Sequence, residues 1–202
     1  MKNLLLKENY TSENLWEKIN VLNEEQKSSI AQGLEWTVNN IPSAVLVGGT
    51  AVVHYIKTAR NLTPDLDFMV HDIESVKTKL SYDNINYGDL NPGYEQPLGI
   101  TIDSLNTDYL DPNVGNSELN RLILSTPVKG NVGGHSVNII NPELLAIIKF
   151  ESGRDKDVQD ALALLGSGKI DKQKYKKFLN QLKSTLTDYE SMMMYANMVN
   201  NL

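Results

Sequence analysis

Asp65 and Asp67 are separated by a single leucine in the stretch Asp65-Leu66-Asp67-Phe68-Met69-Val70, and this spacing is where chemistry is first visible. In an extended strand, side chains alternate between faces, so residues two apart share one. Both carboxylates then project from the same side, with Leu66, Phe68 and Val70 on the other. Paired carboxylates repel unless a cation lies between them, which leaves two readings, a divalent-metal site or an acidic strand end in solvent. Asp103 follows on a second predicted strand, away from Ile100 and Ile102. A third carboxylate there could complete a ligand set or take a proton from an attacking hydroxyl. Asp108 and Asp111 compete for that role.

Two further groups of residues fit the same chemistry. Gly48-Gly49-Thr50 stands where a buried apolar run, Ala44 to Val47, gives way to a helix. Glycines at such a junction let the backbone approach a ligand, and the exposed N–H groups favour an anion such as a triphosphate, although two glycines after a strand also make an ordinary turn. Lys149 interrupts the apolar run Leu144-Leu145-Ala146-Ile147-Ile148 and precedes Phe150. A lysine in apolar surroundings is costly unless an anion pairs with it, the alternative being a side chain that snorkels to solvent.

The elements that must position these residues follow from periodicity. Ser12 to Asn40 reads as two helices, with Leu15, Ile19 and Leu22 and then Ile30, Leu34 and Val38 at helical spacing. Ala44–Val47 is a strand, Thr50 to about Ala59 a helix, and Leu66–Val70 a strand entered through Thr63-Pro64. A short helix is expected from His71 to Leu80, a loop or irregular hairpin from Ser81 to Pro97, and a strand from Gly99 to Leu105. Leu119–Val128 and Ser136–Ile140 read as further strands. Asn141-Pro142 opens a helix expected to run to about Leu165, where Gly166 and Gly168 stop it. On that helix Ile147, Val158, Leu162 and Leu165 share a face, and Lys149, Gly153, Lys156 and Asp160 lie nearly opposite. A last helical stretch spans Lys172 to about Asn200. The expected organisation is an N-terminal helical segment (1–40), a core (41–140) and a helical C-terminal region (141–202).

With 202 residues, 41% hydrophobic and 22% charged, the chain suits one substantial core, and it contains no cysteine. Disulfides, thiolate zinc sites and cysteine nucleophiles are thereby excluded. No signal peptide or membrane-spanning run is evident, so a cytoplasmic location is expected. A net charge of −6 argues against a broad basic face for nucleic acid. Lys172, Lys174, Lys176, Lys177 and Lys183 nonetheless crowd the C-terminal quarter, as a solvated helix face or a local basic patch. His54, His71 and His135 are too scattered for a metal site, and Met192 to Met194 reads as packed core.

Taken together, Gly48-Gly49-Thr50-Ala51, Arg60 with Thr63, Asp65-Leu66-Asp67, Lys149 and Arg154-Asp155-Lys156-Asp157-Val158-Gln159-Asp160 resemble the nucleotidyltransferase superfamily that includes DNA polymerase beta. They look most like its AbiEii-like group, many of whose members are toxins of toxin-antitoxin systems. The resemblance spans roughly Val45 to Leu165. It implies an α+β fold, a mixed sheet packed with helices, plus a helical C-terminal extension. It also implies transfer of a nucleoside monophosphate from an NTP to a hydroxyl acceptor, with magnesium or manganese as the ion. Gly48, Gly49 and Thr50 would hold phosphates, with Arg60 and Thr63 as further nucleotide-binding positions. Asp65, Asp67 and Asp103 would ligate metal, Lys149 would neutralise phosphate charge, and Asp157 and Asp160 would support the site or contact the nucleotide. RNA such as tRNA is the expected acceptor and an antitoxin the expected protein partner. An aminoglycoside-type acceptor, or a non-catalytic nucleotide-binding or partner-binding role, is the alternative.

Overall fold

A computed structural model describes residues 23–56, 65–90 and 99–198. Its framework is one mixed sheet of seven strands: β1 (Val45–Val47), β2 (Leu66–Met69), β3 (Gly88–Asp89), β4 (Gly99–Ile102), β5 (Thr107–Leu110), β6 (Val128–Val132) and β7 (His135–Ile139). Their spatial order is β3-β4-β5-β2-β1-β7-β6. The pairs β2–β5 and β1–β7 are parallel and the rest antiparallel. Eight α-helices are described: α1 (Glu24–Asn40), α2 (Gly48–Tyr55), α3 (Ile73–Tyr82), α4 (Ser117–Ser125), α5 (Pro142–Glu151), α6 (Asp155–Gly166), α7 (Lys172–Gln181) and α8 (Tyr189–Met198). This is the α+β class with a mixed sheet that the sequence leads one to expect.

Helix α1 starts at a capping box, in which Asn23 accepts from the Gln26 N–H and the Gln26 side chain accepts from the Asn23 N–H. It buries Ile30, Gly33, Leu34 and Thr37. The sheet face it covers carries Phe68 and Tyr109, whose rings stack at 6.0 Å. Thr37 Oγ1 donates to the Gly33 carbonyl at 2.7 Å, so the Tyr109 hydroxyl donates in turn to Thr37 at 2.5 Å. A buried phenol is thereby satisfied, and the helix is fixed to β5.

Four departures from the periodicity reading have local causes. Ser117–Ser125 is a helix, not the start of a strand: Leu119, Ile123 and Leu124 are buried at helical spacing and Asn116 caps the first turn. The helix expected over 142–165 breaks into α5 and α6, because Gly153 adopts φ +66° and Arg154 is extended. The last stretch is likewise two helices, α7 and α8. Finally, β4 stops at Ile102, where the chain turns through a 3-10 segment, Asp103–Leu105, and returns as β5. The predicted helix before Glu24 lies outside the described residues.

Gly33 shows how closely α1 rides on the sheet. A Cβ there would press on Thr107 Oγ1 and on the Leu105 carbonyl, which is backbone and cannot step aside. Gly33→Ala gains about 1 kcal/mol of helix propensity but incurs overpacking of about 1–3 kcal/mol. Net destabilisation is expected in urea unfolding, and an unchanged or higher midpoint would contradict the packing described.

Candidate metal centre

Strand pairing, more than sequence proximity, assembles the acidic cluster. Asp67 on β2 lies opposite Asp108 on β5 in the parallel register, and the Leu66 N–H donates to the Asn106 carbonyl at 2.8 Å, which fixes the start of the ladder. Asn106 closes the 3-10 turn in the left-handed conformation, φ +42°. Asp65, one residue ahead of β2, projects on the same side as Asp67. Carboxylate oxygens of Asp65, Asp67 and Asp108 all lie within 4.8 Å of one another. Leu66, Phe68 and Tyr109 are buried behind them.

Asp108, rather than the expected Asp103, is therefore the acid that joins the pair. Asp103 is exposed at the first position of the 3-10 turn, where the strand alternation that would have aimed it has ended. It stays close enough to act on Asp108 electrostatically, and Thr101, opposite Asp108 in the β4–β5 register, donates to Asp103 at 3.4 Å. Asp111 caps a turn, accepting from the Asn113 N–H at 2.8 Å. The signal for Asp108 was faint: Thr107-Asp108-Tyr109-Leu110 is only four residues long, too short for alternation to stand out.

The glycine turn meets this cluster directly. Gly48 has φ +65°, and any Cβ on it would collide with the Asp67 carboxylate, so only glycine fits. Thr50, buried on α2, donates to the Asp65 carbonyl at 3.1 Å and so pins the backbone that carries the first acid. Gly49 is buried beside it. Arg60 and Thr63 lie outside the described residues.

Lys149 sits on α5 and is only 6% exposed, which excludes a snorkelling side chain. The break at Gly153 folds α6 back so that Lys149 Nζ meets Asp157 Oδ1 at 2.5 Å and Asp160 Oδ2 at 3.5 Å. A continuous helix would have left Lys149 and Asp160 on one stripe about three turns apart along the axis; the break brings them together. Asp157 also accepts from Ser152 Oγ at 2.8 Å and from Arg154 Nε at 2.5 Å. Burial raises the Asp157 carboxyl, but the hydrogen bond and charge of Lys149, with Ser152 and Arg154, hold it below the usual carboxylate range.

Two of the clustered acids are held above the ordinary carboxylate range. Burial first, then the charges of Asp65 and Asp108, push Asp67 from an ordinary 3.8 up to about 7, against the pull of Lys149 and Arg154. Asp108 is also raised, by burial and by Asp65 and Asp103, with a Thr101 hydrogen bond opposing. Three carboxylates are a hard, all-oxygen donor set at a spacing one divalent cation can bridge. The residues present therefore fit magnesium or manganese. Among the described residues none of the three histidines belongs to such a group.

No protein-family model matches the chain, and no curated protein matches it in sequence. Among solved structures it is similar to an antigenic nucleotidyltransferase-like protein from Paracoccidioides brasiliensis, with 16% identity and a TM-score of 0.48, covering 86% of this chain and 94% of that one. A likeness of that strength says nothing about what this chain binds.

The raised Asp67 links stability to pH. An acid near 7 when folded and near 3.8 when unfolded keeps its proton in the folded chain after the unfolded chain has lost it. Its contribution is then full below about pH 4 and is lost as pH rises toward 7. Without metal, the wild type should melt progressively lower across that window. Asp67→Asn should flatten the trend and melt above the wild type at about pH 8 in chelator. Magnesium should raise the wild-type melting temperature and leave Asp67→Asn nearly unmoved, whereas parallel pH profiles for the two proteins would refute the strain assigned to Asp67.

Proposed function

We propose that this protein is a metal-dependent nucleotidyltransferase that moves a nucleoside monophosphate from an NTP to a hydroxyl acceptor. The observation that carries this reading is the meeting of Asp65, Asp67 and Asp108 at the Gly48 turn, a metal-binding donor set beside backbone shaped for close approach. The sequence resemblance to the polymerase-beta superfamily supports it independently of any structural comparison. In the reaction an acceptor oxygen attacks the α-phosphorus, the bond from that phosphorus to the bridging oxygen breaks, and pyrophosphate leaves. Bound magnesium or manganese supplies Lewis-acid polarisation and charge neutralisation at the phosphates. The chain's own part is positioning and charge: Asp65, Asp67 and Asp108 hold the ion, Gly48 to Thr50 bring backbone to the phosphates, and a carboxylate at the cluster takes the acceptor's proton.

Within this reading the acceptor is RNA, and the protein acts in the cytoplasm as the toxin of an AbiEii-like toxin-antitoxin pair, held in check by a separate antitoxin. The supporting observation is Lys172, Lys174, Lys176, Lys177 and Lys183 with few acids between them, in a chain of net charge −6. That same negative charge favours a second reading, a cationic hydroxylated small molecule such as an aminoglycoside. No described helix is long and apolar enough to cross a membrane.

The test is incubation with each labelled NTP, magnesium and either total RNA or an aminoglycoside panel. Label should enter RNA, and Asp65→Ala, Asp67→Ala and Asp108→Ala should each lower transfer at least about 100-fold, the upper end of what losing a mere supporting residue costs a metal site. Asp103→Ala should cost less than any of them. Label on the drug would select the second acceptor. Absence of transfer together with absence of magnesium-dependent NTP binding would leave a non-catalytic scaffold.

A further inference from the structure

A triphosphate beside the acidic cluster needs a cation that can reach it, and among the described residues the structure separates two candidates, Lys149 and Arg154. Lys149 is buried, and its ammonium is enclosed by two carboxylates, Asp157 and Asp160. Withdrawing it would leave Asp157 buried with one oxygen unpaired, which is strongly unfavourable for a buried charge. Arg154 differs in each respect. Its side chain is 52% exposed, and only Nε is engaged, on Asp157 Oδ2. Among the described residues its two terminal amino groups have no hydrogen-bond partner. The Asp157 contact fixes the guanidinium plane and leaves the outer edge of the fork open. Arg154 is also near enough to the cluster that its charge acts on Asp67 alongside that of Lys149.

We infer that Arg154, and not Lys149, makes the direct contact with the phosphate tail of the triphosphate, through the terminal amino groups left open by its Asp157 pair. Lys149 is then a positioning residue, acting through Asp157 to hold the guanidinium in place. Geometry favours this division: a planar fork anchored at one nitrogen is pre-organised for two parallel hydrogen bonds to phosphate, which an enclosed ammonium cannot offer. The Gly153 break acquires a purpose, since without it Arg154 and Asp157 would not face Lys149. The inference rests on the nucleotidyltransferase reading for the identity of the anion.

Inorganic tripolyphosphate with magnesium is the probe, because it carries the phosphate chemistry without a base. Calorimetric titration should show binding to the wild type. Arg154→Gln should lose about 10- to 100-fold in affinity, the worth of one charge-assisted contact, and Arg154→Lys should fall between the two. Magnesium binding measured alone, and the melting temperature, should stay near wild type in both variants, a pattern that a merely structural role for Arg154 would not give. In transfer assays the Arg154→Gln loss should appear mainly in KM for the triphosphate. Wild-type affinity for tripolyphosphate in Arg154→Gln overturns the inference, as does a wild type that binds magnesium and not tripolyphosphate. Failure of the wild type to bind magnesium instead strikes the metal reading of the acidic cluster, and Arg154 is still judged by the tripolyphosphate titration without metal.

Discussion

Mutual repulsion among Asp65, Asp67 and Asp108 is the constraint around which the rest of the fold is arranged. Two unit charges at the 4.8 Å limit of this cluster repel by roughly 3 kcal/mol at an effective dielectric of about 20. That exceeds the roughly 1 kcal/mol net of an ordinary hydrogen bond, so no single contact could hold the group together. A strand ladder can. The parallel pairing of β2 with β5 sets Asp67 against Asp108 through backbone bonds, and the opposite faces of both strands are locked under α1 by Phe68, Tyr109 and Thr37. Gly33 and Gly48 are two of the places where this arrangement leaves no room for a side chain, one under the helix and one against Asp67.

What could be read from sequence divides along the range of the interaction concerned. Alternation over Asp65 to Val70 is a local property of one strand, and it correctly set both acids on one side with Leu66 and Phe68 buried on the other. The position of Gly48 at a strand-to-helix junction is local too. Asp108 is not, because its nearness to Asp67 depends on which strands pair and in what register, and four residues of β5 carry too little pattern to announce even the strand. Asp103 looked better placed because Ile100 and Ile102 alternate so cleanly, but alternation holds only while the strand continues. At Ile102 it ends.

The break between α5 and α6 is the same lesson for helices. Helical-wheel geometry presumes one axis, and over 142–165 it sets Lys149 and Asp160 on a stripe pointing away from the apolar face. A single left-handed residue, Gly153, replaces one axis with two. Lys149 and Asp160 come to face each other between the two helices, and a lysine that would have been costly in its apolar run finds two carboxylates. Unlike the strand case, the decisive residue was visible in the sequence; only its conformation was not.

The aspartates of this region fall into two groups by what surrounds them. Among the described residues, Lys149 pairs with Asp157 and Asp160, Arg154 pairs with Asp157, and both cations act to lower Asp67. Burial and the charges of Asp65 and Asp108 outweigh those two cations, and Asp67 rises to about 7. A structural ion-pair cluster would be expected to close its own balance, as Asp157 does with Lys149, Ser152 and Arg154 around it. The contrast between one aspartate saturated by its neighbours and three facing one another separates the part of this region that stabilises the fold from the part suited to a divalent cation.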